Sequence, residues 1–265
     1  MSDDWKCTRL TSTTAVLNVL TKLRGKRWLC RGQSRCYDDG LLPSIDRGPR
    51  KSLTRLEKLK LERQSIDLFR STAKFFATAG EQGALADDII ALMVLQHYDV
   101  PTRLLDWSMS PWVAAYFAVR HDDTKDGSIW SFDEPRYEQK GKTQWERWPQ
   151  TTTDGSGDGD KFDAKLTAFS AQDPPDWIIC GFYNAGFPRQ NAQEGVYTMT
   201  ARFGRDHSRV IAGLLKEPSC YHRYIIDAEI KAELLTVLRE KHNIWRGALY
   251  PDSAGAAGTV GEHLF

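Results

Sequence analysis

The sequence lacks the features typical of membrane proteins and of strongly charged nucleic-acid binders. Its 36 Lys and Arg residues are matched by 35 Asp and Glu residues, so the net charge of +1 provides no general attraction to nucleic acid or to a membrane. The longest apolar run, residues 89–95, is far too short to span a bilayer. The first ten residues are charged and contain no apolar stretch, so we expect no signal peptide and no membrane partner.

Cysteine is scarce and is not spaced for cross-linking or for zinc. The five cysteines are an odd number, and no two of them have CxxC spacing. A disulfide scaffold and a structural zinc site are therefore poor fits, and we predict a cytoplasmic protein without a bound metal. The motifs GxxxxGK[ST], HExxH and GxSxG, and a GxGxxG between strand and helix, are also missing. We therefore expect either chemistry by positioning and electrostatics or binding alone.

The chain has enough apolar residues, 41%, to bury a core, and we predict a single domain over residues 1–265. Apolar periodicity predicts helices over residues 11–23, 55–76, 89–97, 112–120 and 228–242. Aromatic and β-branched content predicts strands over residues 27–32, 127–132, 177–183, 195–203 and 221–227. The predicted fold class is α+β, with a split, mainly antiparallel β core, helices packed on it, most helices early and most strands late. Residues 136–160 are polar and aperiodic, which predicts a mobile insertion or an ordinary surface loop.

The first of three polar segments is Arg31-Gly32-Gln33, at the end of the first predicted strand. A guanidinium, an open backbone and an amide at a strand end can be presented to one ligand, and the guanidinium fork matches a diphosphate. The alternative is an arginine in a surface salt bridge beside a turn glycine.

The second segment runs from Gln96 to Trp107 across a helix end, and residues 101–108 are predicted to be a non-helical connection. His97 is a candidate for proton transfer, and Arg103 and Asp106 are candidates for a partly buried ion pair. The alternative is that this pair only holds a junction between two helices.

The third segment is the polar run 189–197, which enters a strand through Gly195. A carboxylate or amide at the start of that strand, from Glu194 or Gln193, can orient a sugar hydroxyl. The alternative is an ordinary connection from loop to strand.

Together these segments resemble the FRG-domain family over roughly residues 10–260. The most specific resemblance is the run Gln-His-aromatic-x-x-Pro-Thr-Arg-Leu-Leu-Asp-Trp, which residues 96–107 match in full. The family's aromatic-Arg-Gly motif is matched at Arg31 and Gly32, with Cys30 in place of the aromatic residue. Further matches are Leu42-Pro43-Ser44 with Arg47, the positions Arg189, Gln193, Gly195 and Tyr197, and Leu249-Tyr250-Pro251-Asp252.

The order of elements in this family is similar to that of ADP-ribosyltransferases, which implies an ADP-ribosyltransferase-like fold and NAD as cofactor. The resemblance implies that Arg31 holds NAD, and that Gln193, Glu194 or Asp106 acts on the ribose. The residues expected to bind the cofactor are Arg31, Gly32, Gln33, Ser44, Arg47, His97 and Arg103.

The resemblance also implies a function. We expect an NAD-dependent ADP-ribosyltransferase, acting as a toxin or phage-defence effector on an RNA, DNA or protein acceptor, with an antitoxin or inhibitor protein as a possible partner. The alternative is a non-catalytic nucleotide-binding module that signals to a partner. A nuclease ranks lower, because the sequence shows no metal-type cluster of carboxylates.

Overall fold

A computed structural model describes residues 5–37, 40–75, 77–78, 81–147, 174, 176–181 and 188–264. Within them, seven strands form one sheet in the order β1-β7-β4-β2-β3-β6-β5. Only the β1–β7 pair is parallel, which confirms a mixed α and β fold with a mainly antiparallel sheet. The strands are β1 (Lys6–Leu10), β2 (Trp28–Gln33), β3 (Leu104–Ser108), β4 (Gly127–Asp133), β5 (Ile178–Gly181), β6 (Gly195–Thr200) and β7 (Tyr221–Ile226).

The seven strands form one continuous sheet, so the prediction of a split core is wrong. The backbone pairing within this sheet is nevertheless very short at one place, between β2 and β3. Strands β2 and β3 share a single residue pair, Cys30 with Ser108. By contrast, β2 pairs with β4 over all of Trp28–Gln33, and β3 pairs with β6 over all of Leu104–Ser108. The sheet therefore consists of a four-strand part and a three-strand part that are joined at one residue pair.

Ten α-helices and four short 3-10 helices accompany the sheet within the described residues. Helices α1, α4 and α8 pack on one face, in a core that includes Val16, Ala114 and Leu234. Helices α3 and α7 pack on the other face, with Met93 and Ile211 in its core. The helices are α1 (Thr13–Arg24), α2 (Arg55–Ala73), α3 (Asp88–His97), α4 (Pro111–Val119), α5 (Glu134–Arg147), α6 (Pro188–Ala192), α7 (His207–Leu215), α8 (Lys231–His242), α9 (Arg246–Leu249) and α10 (Ser253–Leu264).

The helices begin where the sequence offers suitable caps. The Ser12 side chain accepts a hydrogen bond from the backbone of Ala15 at the start of α1. Thr54 and Glu57 form a capping box at the start of α2, and the Asp87 carboxylate caps α3. Pro111 occupies the first turn of α4, where its missing N–H costs nothing.

The predicted order of elements is wrong in one respect, because β1, β2, β3 and β4 all precede residue 134. The stretch predicted to be a non-helical connection contains β3. This strand has only five residues and follows soon after Pro101, so it is too short to show a clear alternation of apolar and polar residues. The stretch predicted as a mobile insertion from 136 to 160 begins inside α5, while residues 148–160 lie outside the described residues. No helix in the described ranges is long and apolar enough to cross a bilayer.

Candidate functional site

A cleft of about 290 Å³ opens beside the single β2–β3 residue pair. Its walls come from the end of β2, from β3, from α4 and the two residues after it, and from α6 with the start of β6. The polar side chains along it belong to Arg31, Gln33, Ser34, Arg47, Gln96, His97, Asp99, Asp106, Ser108, Arg120, His121, Arg189, Gln190 and Gln193, and the aromatic ones to Tyr37, Trp107, Phe117, Tyr197 and Tyr250.

Arg31 reaches from β2 to β3 where the two strands no longer pair. Its Nη1 donates to the main-chain oxygen of Asp106 at 2.5 Å and lies 3.7 Å from the Asp106 carboxylate. The side chain is 17% exposed, and burial lowers its pKa while Asp106 raises it. Its buried Nε has no hydrogen-bond partner among the described residues. Arg31 thus links the two parts of the sheet and keeps one N–H donor for an acceptor.

Gly32 and Gln33 shape the end of β2. A Cβ on Gly32 would lie 1.9 Å from the carbonyl oxygen of Ala114, so only glycine lets α4 lie this close to the strand. The Gln33 side-chain oxygen accepts hydrogen bonds from Trp130 Nε1 at 2.7 Å and from Ser128 at 3.4 Å, which fixes this amide against β4.

Asp106 supplies a carboxylate to the cleft and is held in place by its neighbours. Gln96 Nε2 donates to Asp106 Oδ2 at 2.8 Å, and Thr102 Oγ1 donates to Gln96 Oε1 at 2.6 Å. The Asp106 side chain is 53% exposed, so its charge faces the cleft and solvent. Carboxylates in such a position can stabilise a cation that forms on a ligand.

Gln193 and Glu194 are neighbours in sequence but lie in different places. Gln193 lines the cleft, and its Nε2 donates to the main-chain oxygen of Leu249 at 3.1 Å. Glu194 has a left-handed backbone, with φ at 45°, and its carboxylate lies 2.8 Å from Nη1 of Arg24, outside the cleft lining. The change of direction at Glu194 therefore brings the amide, and not the carboxylate, to the cleft.

Arg103 and Ser44, both expected to bind a cofactor, lie outside the cleft lining. Arg103 Nε donates to both oxygens of Glu62, at 2.8 and 2.9 Å, in a buried pair. The predicted Arg103–Asp106 ion pair is therefore wrong; residues three apart on extended backbone point to opposite sides. Ser44 exchanges hydrogen bonds with the backbone of Thr102 and ties the 44–46 turn to β3.

Two of the expected cofactor residues, Arg47 and His97, do line the cleft. The Arg47 charge lies near enough to Arg31 to lower the pKa of that guanidinium. Burial lowers the pKa of His97, and the neighbouring Arg189 lowers it further against the opposing effect of Asp252. His97 is therefore an uncharged imidazole near pH 7, which can accept a proton.

Arg120, Arg189 and Tyr250 line the cleft, and none of them was among the predicted site residues. Arg120 follows α4, Arg189 belongs to α6, and Tyr250 follows α9, so the fold alone brings them together. Arg189 and Tyr250 both lie in motifs that resemble the FRG family, and this signal was available in the sequence. Arg120 had no such signal.

Comparison with known proteins gives one match: the model of the FRG domain matches residues 26–127. No curated protein and no solved structure matches the chain. No group of three or more His, Cys, Asp or Glu side chains in the described ranges is arranged to hold a metal ion. The matched stretch supplies β2, α3, β3 and α4, and with them Arg31, Gln96 and Asp106. Most of the cleft lining thus lies in residues 26–127, which match the FRG domain.

Proposed function

We propose that the chain is an NAD-dependent ADP-ribosyltransferase. The observation that carries this proposal is that Arg31, at the end of β2, and Gln193, just before β6, line the same cleft. The resemblance of the sequence to the FRG family implies that Arg31 holds NAD and that Gln193 is one of the candidates to act on its ribose. Only β3 lies between their two strands in the sheet, and Arg31 reaches across to it.

The charges along the cleft fit NAD. Four arginines and two aspartates line it, which leaves an excess of positive charge for the two negative charges of a diphosphate. Arg31 is one of these arginines, and its Nε has no hydrogen-bond partner among the described residues. The cleft volume of about 290 Å³ is at the lower end for small-molecule sites, so we propose that one half of NAD lies inside and the rest extends along the rim.

NAD supplies the ADP-ribosyl group, with nicotinamide as the leaving group. Breaking the bond between ribose and nicotinamide leaves positive charge on the ribose, so the residue needed beside it is a carboxylate. We assign this role to Asp106, since Glu194 pairs with Arg24 and Asp106 is held in the cleft by Gln96. The Gln193 amide hydrogen-bonds a ribose hydroxyl.

The acceptor nucleophile forms the new bond to the ribose carbon and loses a proton. Neutral His97, in the same cleft, is the group we assign to take this proton. That the acceptor is RNA, DNA or protein, and that the chain acts as a toxin or defence effector with an inhibitor partner, rests on the resemblance to the FRG family alone.

The first prediction concerns Asp106→Asn. Asparagine keeps the shape and can still accept from Gln96, but it loses the charge, so we expect nicotinamide release to fall by roughly 10²- to 10³-fold. The measurement is release of nicotinamide from labelled NAD in the presence of a cell extract, with label transfer to macromolecules followed in parallel. Asp67→Asn, at an exposed position on α2, makes the same change outside the cleft and should keep the wild-type rate. If wild-type protein releases no nicotinamide with any extract, or Asp106→Asn is fully active, the assignment fails.

A binding module without turnover is the second candidate. It is favoured by the position of Glu194, because the carboxylate nearest in sequence to Gln193 is directed to Arg24 and away from the cleft. Calorimetry separates the two proposals: NAD that binds in the cleft and is recovered intact after incubation with extract supports the binding module.

A further inference from the structure

One end of the cleft is built around the ring of Tyr250. Arg120 Nη1 donates to the Tyr250 hydroxyl at 2.5 Å, and its guanidinium carbon lies 5.6 Å from the ring centre. The guanidinium carbon of Arg189 lies 4.3 Å from the centre of the same ring. The guanidinium carbon of Arg246 also lies 5.6 Å from this ring centre, but of the three arginines only Arg120 and Arg189 line the cleft with Tyr250.

The two guanidinium groups are fixed by further contacts. Arg189 Nη1 donates to the main-chain oxygen of His97 at 3.1 Å, and Arg120 packs 4.8 Å from the ring centre of Phe117. The hydrogen bond from Gln193 to the Leu249 carbonyl fastens the segment that carries Tyr250 to the residue that follows α6. The arrangement is therefore held in place before any ligand arrives, which limits the entropy lost on binding.

The charges of the two guanidinium groups at this end of the cleft are not neutralised by a direct salt bridge. In the described part of the chain, neither Arg120 nor Arg189 forms an ion pair, whereas Arg103 pairs with Glu62. The Asp252 carboxylate lies near enough to oppose the effect of Arg189 on the pKa of His97, and it also accepts the backbone N–H of Gly255 at the start of α10. The C-terminus of α4, next to Arg120, contributes the equivalent of only about half a negative charge.

Two like charges held half-buried on one ring repel each other, and an anion between them relieves that repulsion. Guanidinium groups bind phosphate oxygens through two parallel hydrogen bonds each. Of the four cleft arginines, Arg31 already binds Asp106, and Arg47 is exposed. Arg120 and Arg189 are therefore the pair best placed to receive a ligand with two linked phosphates.

We infer that Arg120 and Arg189 form a diphosphate-binding site, with Tyr250 as the support that orients Arg120. The inference rests on the proposed function for the identity of the ligand, the diphosphate of NAD. In this assignment, Arg120, Arg189 and Tyr250 hold the diphosphate. Asp106 and Gln193 remain for the half of NAD that contains the bond between ribose and nicotinamide. The Tyr250 ring contributes its face to the cations and its hydroxyl to Arg120.

The test, and the second prediction, uses inorganic pyrophosphate, which requires no turnover. We expect calorimetry to show that wild-type protein binds pyrophosphate more tightly than orthophosphate. Arg120→Met and Arg189→Met, which keep side-chain length and lose the charge, should each weaken pyrophosphate binding by about tenfold or more. Arg209→Met removes the same charge from an exposed arginine on α7 outside the cleft lining and should bind as wild type.

Two further variants keep the test decisive if a methionine variant fails to fold. Arg120→Lys keeps the charge but loses the fork, and Tyr250→Phe keeps the ring but loses the hydroxyl that holds Arg120. Both should weaken pyrophosphate binding by roughly threefold or more. Steady-state kinetics add a second readout: KM for NAD should rise in Arg120→Lys while kcat changes little, because the reacting bond lies elsewhere.

The outcomes separate this inference from the proposed function. If pyrophosphate binding depends on Arg120 and Arg189 while NAD is never consumed, the diphosphate site stands and the transferase proposal fails. If NAD is consumed while the folded variants bind pyrophosphate as tightly as wild type does, the transferase proposal stands and the diphosphate site is overturned. Failure of wild-type protein to bind pyrophosphate overturns it as well.

Discussion

At the scale of single residues, two arginines of this chain differ in role because their surroundings differ. Arg31 lines the cleft. Arg103 is enclosed between Glu62 and the ring of Phe203, and its guanidinium carbon lies 4.2 Å from the ring centre. The sequence singled out Arg31, and this residue lines the cleft. It could not identify the partner of Arg103, because Glu62 is a long-range neighbour on α2.

The third prediction follows from the buried Arg103–Glu62 pair. Arg103→Met leaves the Glu62 carboxylate buried without its partner, so we expect the free energy of unfolding to fall by about 3–5 kcal/mol. The double variant with Glu62→Leu removes both charges and should recover most of this loss. Urea denaturation measures both.

The control for this prediction is Arg205→Met, at an exposed arginine 3.3 Å from Asp176. Its effect should stay within about 0.5 kcal/mol, because exposed ion pairs contribute little. Equal losses from Arg103→Met and Arg205→Met would mean that burial of the Glu62 pair has no special effect.

At the scale of elements, helix α4 lies unusually close to the sheet because two strands present glycine to it. Gly32 in β2 faces the Ala114 carbonyl, and a Cβ on Gly127 in β4 would lie 2.2 Å from the Ala118 carbonyl. The periodic helices were predictable, since their apolar stripes are local patterns. Strand β3 was not, because its place between β2 and β6 depends on pairing with strands far away in the sequence.

The fourth prediction concerns the contact between β2 and α4. Gly32→Ala places a methyl group 1.9 Å from a backbone oxygen that cannot move alone, so α4 must shift. We expect a loss of about 1–3 kcal/mol in the free energy of unfolding, or insoluble protein.

The control is Gly213→Ala within α7, where an added methyl group meets nothing within 4 Å. That substitution should raise the free energy of unfolding by up to about 1 kcal/mol, because alanine favours a helix over glycine. Thermal denaturation followed by circular dichroism distinguishes the opposite signs, and a stable, unshifted Gly32→Ala protein would contradict the close packing.

At the scale of the whole molecule, two buried groups make stability depend on pH in opposite directions. Burial raises the pKa of Glu134 to about 7, with Glu138 and Asp133 acting in the same sense and Arg27 against them. Burial lowers the pKa of His207 to about 3, with Arg31 as the second cause. The single sequence did not reveal either shift, since each depends on burial produced by the fold.

The fifth prediction is the sign of each effect on the free energy of unfolding. Glu134 stays protonated in the folded chain up to about pH 7, whereas the unfolded chain ionises above about pH 4.5, so stability falls as pH rises across this window. His207 stays neutral in the folded chain, while the unfolded chain takes up a proton below about pH 6.5. Its contribution is therefore lost as pH falls from 6.5 toward about 3.

Two neutral variants separate these contributions by urea denaturation at pH 4, 6 and 8. Glu134→Gln should gain roughly 1–3 kcal/mol relative to wild type at pH 8 and gain nothing at pH 4. His207→Asn, which keeps an acceptor for the Thr198 hydroxyl, should lose less stability than wild type between pH 6 and pH 4. If the free energy of unfolding depends on pH in the same way in wild type and in both variants, then Glu134 and His207 are not the groups responsible.

The single residue pair between β2 and β3 has a mechanical consequence. The four-strand and three-strand parts of the sheet are each held by several paired residues. Among the described residues near the cleft, the links between the two parts include the Cys30–Ser108 pair, the Arg31 side chain and the contact of the Trp107 ring with Phe132. The cleft therefore lies where the backbone pairing between the two parts of the sheet is shortest. A ligand that contacts both sides of the cleft would add a further link between these two parts of the sheet.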